Sequence, residues 1–123
     1  MSLTSPRVSR VYDAPEDDAA LRVLVDRLWP RGIGKQDPRV DRWCKAVAPS
    51  TELRRWYGHR PELFAEFGLR YREELTDDGH RDALRALVEL ARERPVTLVT
   101  ATKEIELGHV VVLAEVVGEA PAG

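Results

Sequence analysis

Two stretches of the chain are apolar without alternation. Val23, Leu24 and Val25 follow one another within residues 21–26, and VTLVTA at 96–101 is largely β-branched. Runs of this kind, apolar on both faces, predict short covered strands. A third strand is expected over residues 8–12, where Val8, Arg10 and Tyr12 alternate with Ser9 and Val11. Elsewhere the rhythm is helical. Phe64, Phe67, Tyr71 and Leu75 recur at spacings of three and four, behind Pro61 at a favoured first position. Leu84, Leu87, Val88 and Ala91 mark another helix, between a turn at Asp77, Asp78 and Gly79 and the breaker Pro95. Ser50 reads as the N-cap of a short helix that stops near Gly58, with Glu52 in its first turn. A last helix is expected over residues 107–117. Residues 40–48 fit either period; an extended segment is the preferred reading. Residues 13–18 read as a polar loop, and 1–6 and 118–123 as frayed ends. Strands, then helices, then a strand and a helix predict a small single α/β domain spanning 1–123. Its sheet is expected to be largely parallel and flanked by helices.

Composition narrows the function classes. The longest apolar run, residues 110–114, is far short of the ~20 residues of a membrane span. The start, MSLTSPRVSR, lacks the apolar segment of a secretory signal. No membrane partner is therefore expected. Cys44 is the only cysteine, so no intrachain disulfide can form, which fits a cytoplasmic protein. Three scattered histidines and one cysteine make no zinc spacing, so no metal is expected. No cofactor is expected either: there is neither a full dinucleotide nor a Walker pattern. A nucleophile elbow is missing, and no helix pair compels a DNA-reading assignment. Net charge is −2 but unevenly spread. Between Arg27 and Arg60 there are 9 cations against 3 acids, whereas residues 61–123 hold 7 cations and 13 acids. A competing explanation is ordinary solvated surface charge in an arginine-rich chain.

The basic excess coincides with the unusual residues. VLVDRLWPRGIGK leaves a strand and at once delivers Asp26, Arg27, Trp29, Arg31 and Lys35. VTLVTATK leaves another and delivers Thr100, Thr102 and Lys103, with His109 at the next helix start. Ligands of open α/β sheets bind at strand carboxyl ends, so both clusters are expected to face one crevice. Arg27 and Arg31 suit a phosphate as guanidinium forks, and Lys103 as a point charge. Asp26 and His109 are the candidate catalytic pair, as orienter or base and as general acid or base. A structural Asp26–Arg27 ion pair is the competing reading, as is a capping role for His109. A third cluster, Ser50, Thr51, Arg54, Arg55, Trp56, Tyr57 and His59, offers cations beside stacking surface. The competing reading there is core packing for the aromatics. Cys44 sits in what reads as a packed segment, not a nucleophile's site.

Several of these residues recur in a known pattern. Val25-Asp26-Arg27-Leu28-Trp29-Pro30-Arg31-Gly32, Ala48-Pro49-Ser50, Leu53-Arg54, His59-x-Pro61 and Phe67-x-x-x-Tyr71-x-x-Glu74-Leu75 resemble the YeaO-like branch of the domain-of-unknown-function 488 family. The resemblance covers roughly residues 7–117. It implies a compact bacterial cytoplasmic α/β protein, and it implies no activity. Members often carry a transcriptional-regulator label, for which this sequence has no matching motif. Asp26, Arg27, Arg31, Ser50, Arg54, His59, Lys103 and His109 are the matched polar positions. Gly108 departs from the pattern: the branch usually has asparagine there, and the wider family a cysteine before the histidine. A cysteine nucleophile at 108 is thereby excluded.

Three functions stay open on these grounds. One is an enzyme or ligand-binding protein that holds a phosphorylated or otherwise anionic molecule, a nucleotide or a nucleic-acid end first among them. Another is a non-catalytic module that binds nucleic acid or a protein through Arg54, Arg55, Trp56 and Arg60. The third is a transcription-related role. Oligomeric state is left undetermined.

Overall fold

The structure, a computed structural model, describes residues 5–14 and 19–120. Its single sheet holds β1 (Arg7–Arg10), β2 (Leu21–Leu24), β3 (Arg42–Trp43) and β4 (Val96–Thr100). All neighbours are parallel, in the order β1-β4-β2-β3. The helices are α1 (Thr51–Tyr57), α2 (Phe64–Glu74), α3 (Asp78–Glu93) and α4 (His109–Glu119), so the class is α/β, as the pattern predicts. β2 and β4 lie side by side in the middle, with Val23 opposite Leu98 and Leu24 opposite Val99. Every residue of both strands is buried, which is why both are largely apolar on the two faces, Arg22, Thr97 and Thr100 being the polar exceptions.

The two faces of the sheet are covered differently. Leu21, Val23, Val25, Val96 and Leu98 pack with Phe67, Tyr71, Val110, Leu113 and other helical residues. Leu24 and Val99 pack instead with Val11 and Ile33, flanked by Trp29 and Val40 from the long loop after β2. The helical core therefore sits on one face and the loop closes the other. Arg22 shows how closely: only 4% exposed, it donates from Nε to the Arg39 carbonyl at 2.7 Å and from Nη2 to that of Asp13 at 3.1 Å.

Several local expectations shift. β1 is Arg7–Arg10 rather than 8–12, and β2 stops at Leu24 rather than Asp26. The ambiguous segment 40–48 contains both of its readings in miniature: a two-residue strand, then a 3₁₀ turn over Lys45–Val47. Pro61 opens a 3₁₀ turn, and α2 begins at Phe64. Asp77 is an N-cap, its carboxylate accepting the His80 N–H at 2.9 Å, so Asp78 and Gly79 are the first turn of α3 rather than a free turn. Of the expected polar loop, residues 15–18 lie outside the described residues, as do 1–4 and 121–123 of the expected frayed ends; 118 and 119 are helical.

Candidate anion-binding cleft

Because β2 and β4 are neighbours and parallel, both polar clusters emerge at the same, carboxyl-terminal end of the sheet. A cleft of about 710 Å³ opens there, within the usual range of small-molecule sites. Asp26, Arg27, Trp29, Arg31, Thr102, Lys103 and His109 line it. α1 contributes Thr51, Arg54, Arg55 and Tyr57, and its exit contributes His59. Gly58 (φ 54°) and His59 (φ 56°) are both left-handed, and this sharp reversal carries His59 to the rim.

Asp26 is a brace between the two central strands. Its Oδ1 accepts from Thr100 Oγ1 at 2.7 Å and its Oδ2 from the Ala101 N–H at 2.7 Å. Arg27, the adjacent residue, turns away and bonds Thr51 at the start of α1. The ion pair between Asp26 and Arg27 that the sequence allows is therefore not formed; successive side chains leaving a strand point apart. The rest of the loop is pinned. Trp29 Nε1 donates to the Ile33 carbonyl at 2.6 Å, and Trp43 Nε1 to that of Asp26 at 2.8 Å. The two indoles meet edge to face, with centroids 5.4 Å apart. Gly32, at φ 78°, supplies the left-handed turn. Tyr12 donates to the Arg31 carbonyl at 2.8 Å. The backbone is thus fixed while the side chains of Arg27 and Arg31 stay exposed.

His109 begins α4 and is 11% exposed. Its Nε2 lies 3.0 Å from the Val25 carbonyl and 3.5 Å from Asp26 Oδ1. A carbonyl only accepts, so Nε2 carries the proton. Burial holds the imidazole below its usual value, against the pull of Asp26 and the Val25 carbonyl, and Arg54 lowers it further. Below it, Tyr57, Phe67 and Tyr71 stack in a column whose last ring meets His109 at 83°. Gly108, beside His109 on the cleft wall, has no side chain to offer.

Other candidates fall elsewhere. Ser50 is not on the cleft. Its hydroxyl accepts the Leu53 N–H at 3.1 Å and bonds Glu74, whose other oxygen takes the Ser50 N–H at 2.9 Å. The face Arg54-Arg55-Trp56-Arg60 is divided. Arg54 and Arg55 line the cleft, whereas Trp56 lies under the Arg70 guanidinium, 4.0 Å from the ring centroid. Arg60 turns back to the end of α1, donating from Nη2 to the Trp56 carbonyl at 2.6 Å. Burial pushes the Cys44 thiol up, which keeps it protonated. Sequence reasoning passed over Tyr12 and its place on the cleft wall. Alternation over residues 8–12 marks that residue only as a strand position; its place on the cleft depends on a bond to a loop nineteen residues on. Among the described residues no cluster could hold a metal ion, and no helix is long and apolar enough to cross a membrane.

The chain is 53% identical over 112 residues to an uncharacterized protein of Mycobacterium tuberculosis, covering 91% of this chain and 92% of that one. A protein of Mycobacterium bovis, also termed uncharacterized, matches with the same figures. The uncharacterized protein YeaO of Escherichia coli is 41% identical over 106 residues, 86% of this chain and 90% of that one. No solved structure matches significantly. The profile of a family described as "Inactive DUF488-N3 subclade" matches residues 6–122, and the chain belongs to that family.

Proposed function

We propose that this is an anion-binding protein that holds a phosphorylated or similarly charged ligand at the carboxyl ends of β2 and β4, without reacting with it. One observation carries the reading. Arg27, Arg31, Arg54, Arg55 and Lys103 converge on one cleft, and among the described residues none of the five is in an ion pair. The carboxylate in their midst, Asp26, is bonded to Thr100 and Ala101. Cations collected without acids are poised for an anion from outside.

Binding is favoured over catalysis by the state of the would-be catalytic pair. The proton on His109 Nε2 faces a main-chain carbonyl, and Asp26 serves as a brace. Gly108 offers no nucleophile, and the family description reads inactive. The alternative module built on Arg54, Arg55, Trp56 and Arg60 has less support, because those four side chains do not share a face. A single domain working in the bacterial cytoplasm belongs to the same reading; the matched relatives named above are bacterial.

The test is a thermal-shift series on wild type and Arg31→Ala with inorganic phosphate, pyrophosphate, sugar phosphates, nucleotides and dicarboxylates. A ligand at one hundred times its Kd adds about 2.7 kcal/mol, or several degrees in a domain of this size. A shift for phosphorylated compounds, lost in Arg31→Ala, is expected. No shift with any anion would remove the reading.

A further inference from the structure

Five cations explain an anion but not the shape of the cleft, whose floor and one wall are aromatic and apolar. Tyr57 and Phe67 in the floor are only 5% and 2% exposed. Tyr12 differs: it lines the cleft and is 36% exposed. Its ring is also held in place. The hydroxyl donates to the Arg31 carbonyl at 2.8 Å, and the Arg10 guanidinium lies 5.3 Å from the ring centroid. The Tyr12 carbonyl accepts from Arg39 Nη1 at 3.4 Å, and Val11 before it is tied to the Thr100 carbonyl at 2.8 Å. An open aromatic ring that is already fixed loses little freedom when a flat group stacks on it. Through the Arg31 main chain it is joined directly to the cations that make no ion pair among the described residues.

Resting on the anion-binding reading, we infer that the ligand is a nucleotide unit, its base stacked on Tyr12 and its phosphates among Arg31 and the neighbouring cations. A stacking ring beside a cationic groove is the arrangement by which proteins take up unpaired nucleotides, with little dependence on which base is present. A free nucleotide and the phosphorylated end of a single strand share this chemistry.

The experiment compares ligands that differ only by the nucleoside. Wild type, Tyr12→Phe and Tyr12→Leu are titrated with tripolyphosphate, a nucleoside 5′-triphosphate and a short 5′-phosphorylated single-stranded oligonucleotide, with urea unfolding to confirm each fold. The nucleoside triphosphate is expected to bind wild type roughly 5- to 150-fold tighter than tripolyphosphate, the range that one base stack supplies. Tyr12→Leu abolishes that ratio, while Tyr12→Phe keeps most of it; both variants lose the bond to the Arg31 carbonyl, so any loss of tripolyphosphate affinity is shared by the two and the ratio alone reads the stack. Tighter binding of the oligonucleotide than of the mononucleotide supports the inference with a strand end as the source; the reverse supports it with the free nucleotide. If tripolyphosphate binds and the nucleotide binds no better, or if Tyr12→Leu keeps the ratio, the nucleotide inference is overturned and the anion reading survives. Should neither bind, both fall.

Discussion

Arg70 and Arg72 of α2 and Arg81 of α3 live in surroundings opposite to those of the cleft arginines. Arg70 pairs with Glu66 at 3.0 Å, Arg81 with Asp78 at 3.4 Å, and Arg72 reaches both Glu115 and Glu119, at 2.9 and 2.8 Å. By contrast, Arg27, Arg31, Arg54, Arg55 and Lys103 share a concave surface whose carboxylate is bonded to Thr100 and Ala101. The same residue type thus has two meanings. Paired with acids and exposed, it is surface charge of small energetic weight; convergent and without an ion pair among the described residues, it is what the anion-binding proposal rests on. Counting basic residues along the sequence cannot separate the two.

The comparison predicts a graded set of effects. Asp26, the carboxylate within the cationic cleft, should matter to the fold above all. Asp26→Ala strands the Ala101 N–H and leaves the Thr100 hydroxyl with Thr102 alone, and should cost about 2–4 kcal/mol in urea unfolding. A cost under 1 kcal/mol would mean that the carboxylate is free for a ligand or a reaction. Tyr71→Phe follows. The hydroxyl bonds the Val47 carbonyl in a fully buried site, so its loss should cost about 1–3 kcal/mol.

A pH effect should come next. The His109 ring is held below its usual value, chiefly by burial, so the unfolded chain takes up this proton first as pH falls. Its contribution to stability is complete above the unfolded value of about 6.5 and is lost as pH drops through the lower folded value. Wild type should lose stability from pH 7.5 to pH 5, with a flatter slope in His109→Gln. Equal slopes would show that the ring is not held neutral. Smallest of all is the surface contrast. Arg72→Ala breaks two exposed pairs and should cost no more than about 1 kcal/mol. Arg31→Ala should change stability by no more than about 0.5 kcal/mol.

Much of this architecture is legible in the chain, and the exceptions share a cause. Buried parallel strands announce themselves because both faces are apolar, and the Ser50 cap and Gly58 stop are local signals that tertiary contacts did not override. The pairing of β2 with β4 depends on residues some seventy positions apart, yet two polar strand exits were enough to suggest a common crevice. What could not be read was direction. Asp26 and Arg27 are adjacent, yet one braces β4 and the other reaches α1. Ser50 and Arg54 share a turn of helix, but capping uses the serine, whereas the arginine remains on the cleft wall. Trp56 and Tyr57 are neighbours on α1, yet one lies under Arg70 and the other bonds the Leu107 carbonyl. Side-chain direction within a short helix or a loop is fixed by partners far along the chain, and no periodic pattern encodes those partners.

The central claim is that pairing distinguishes the two sets of arginines, and one titration tests it most directly. Wild type, Arg31→Ala and Arg72→Ala would be titrated calorimetrically with tripolyphosphate at low salt. Saturable binding by wild type and Arg72→Ala, weakened about tenfold or more in Arg31→Ala, is the predicted result. Equal affinities in all three proteins, or no saturable binding in any, would contradict it.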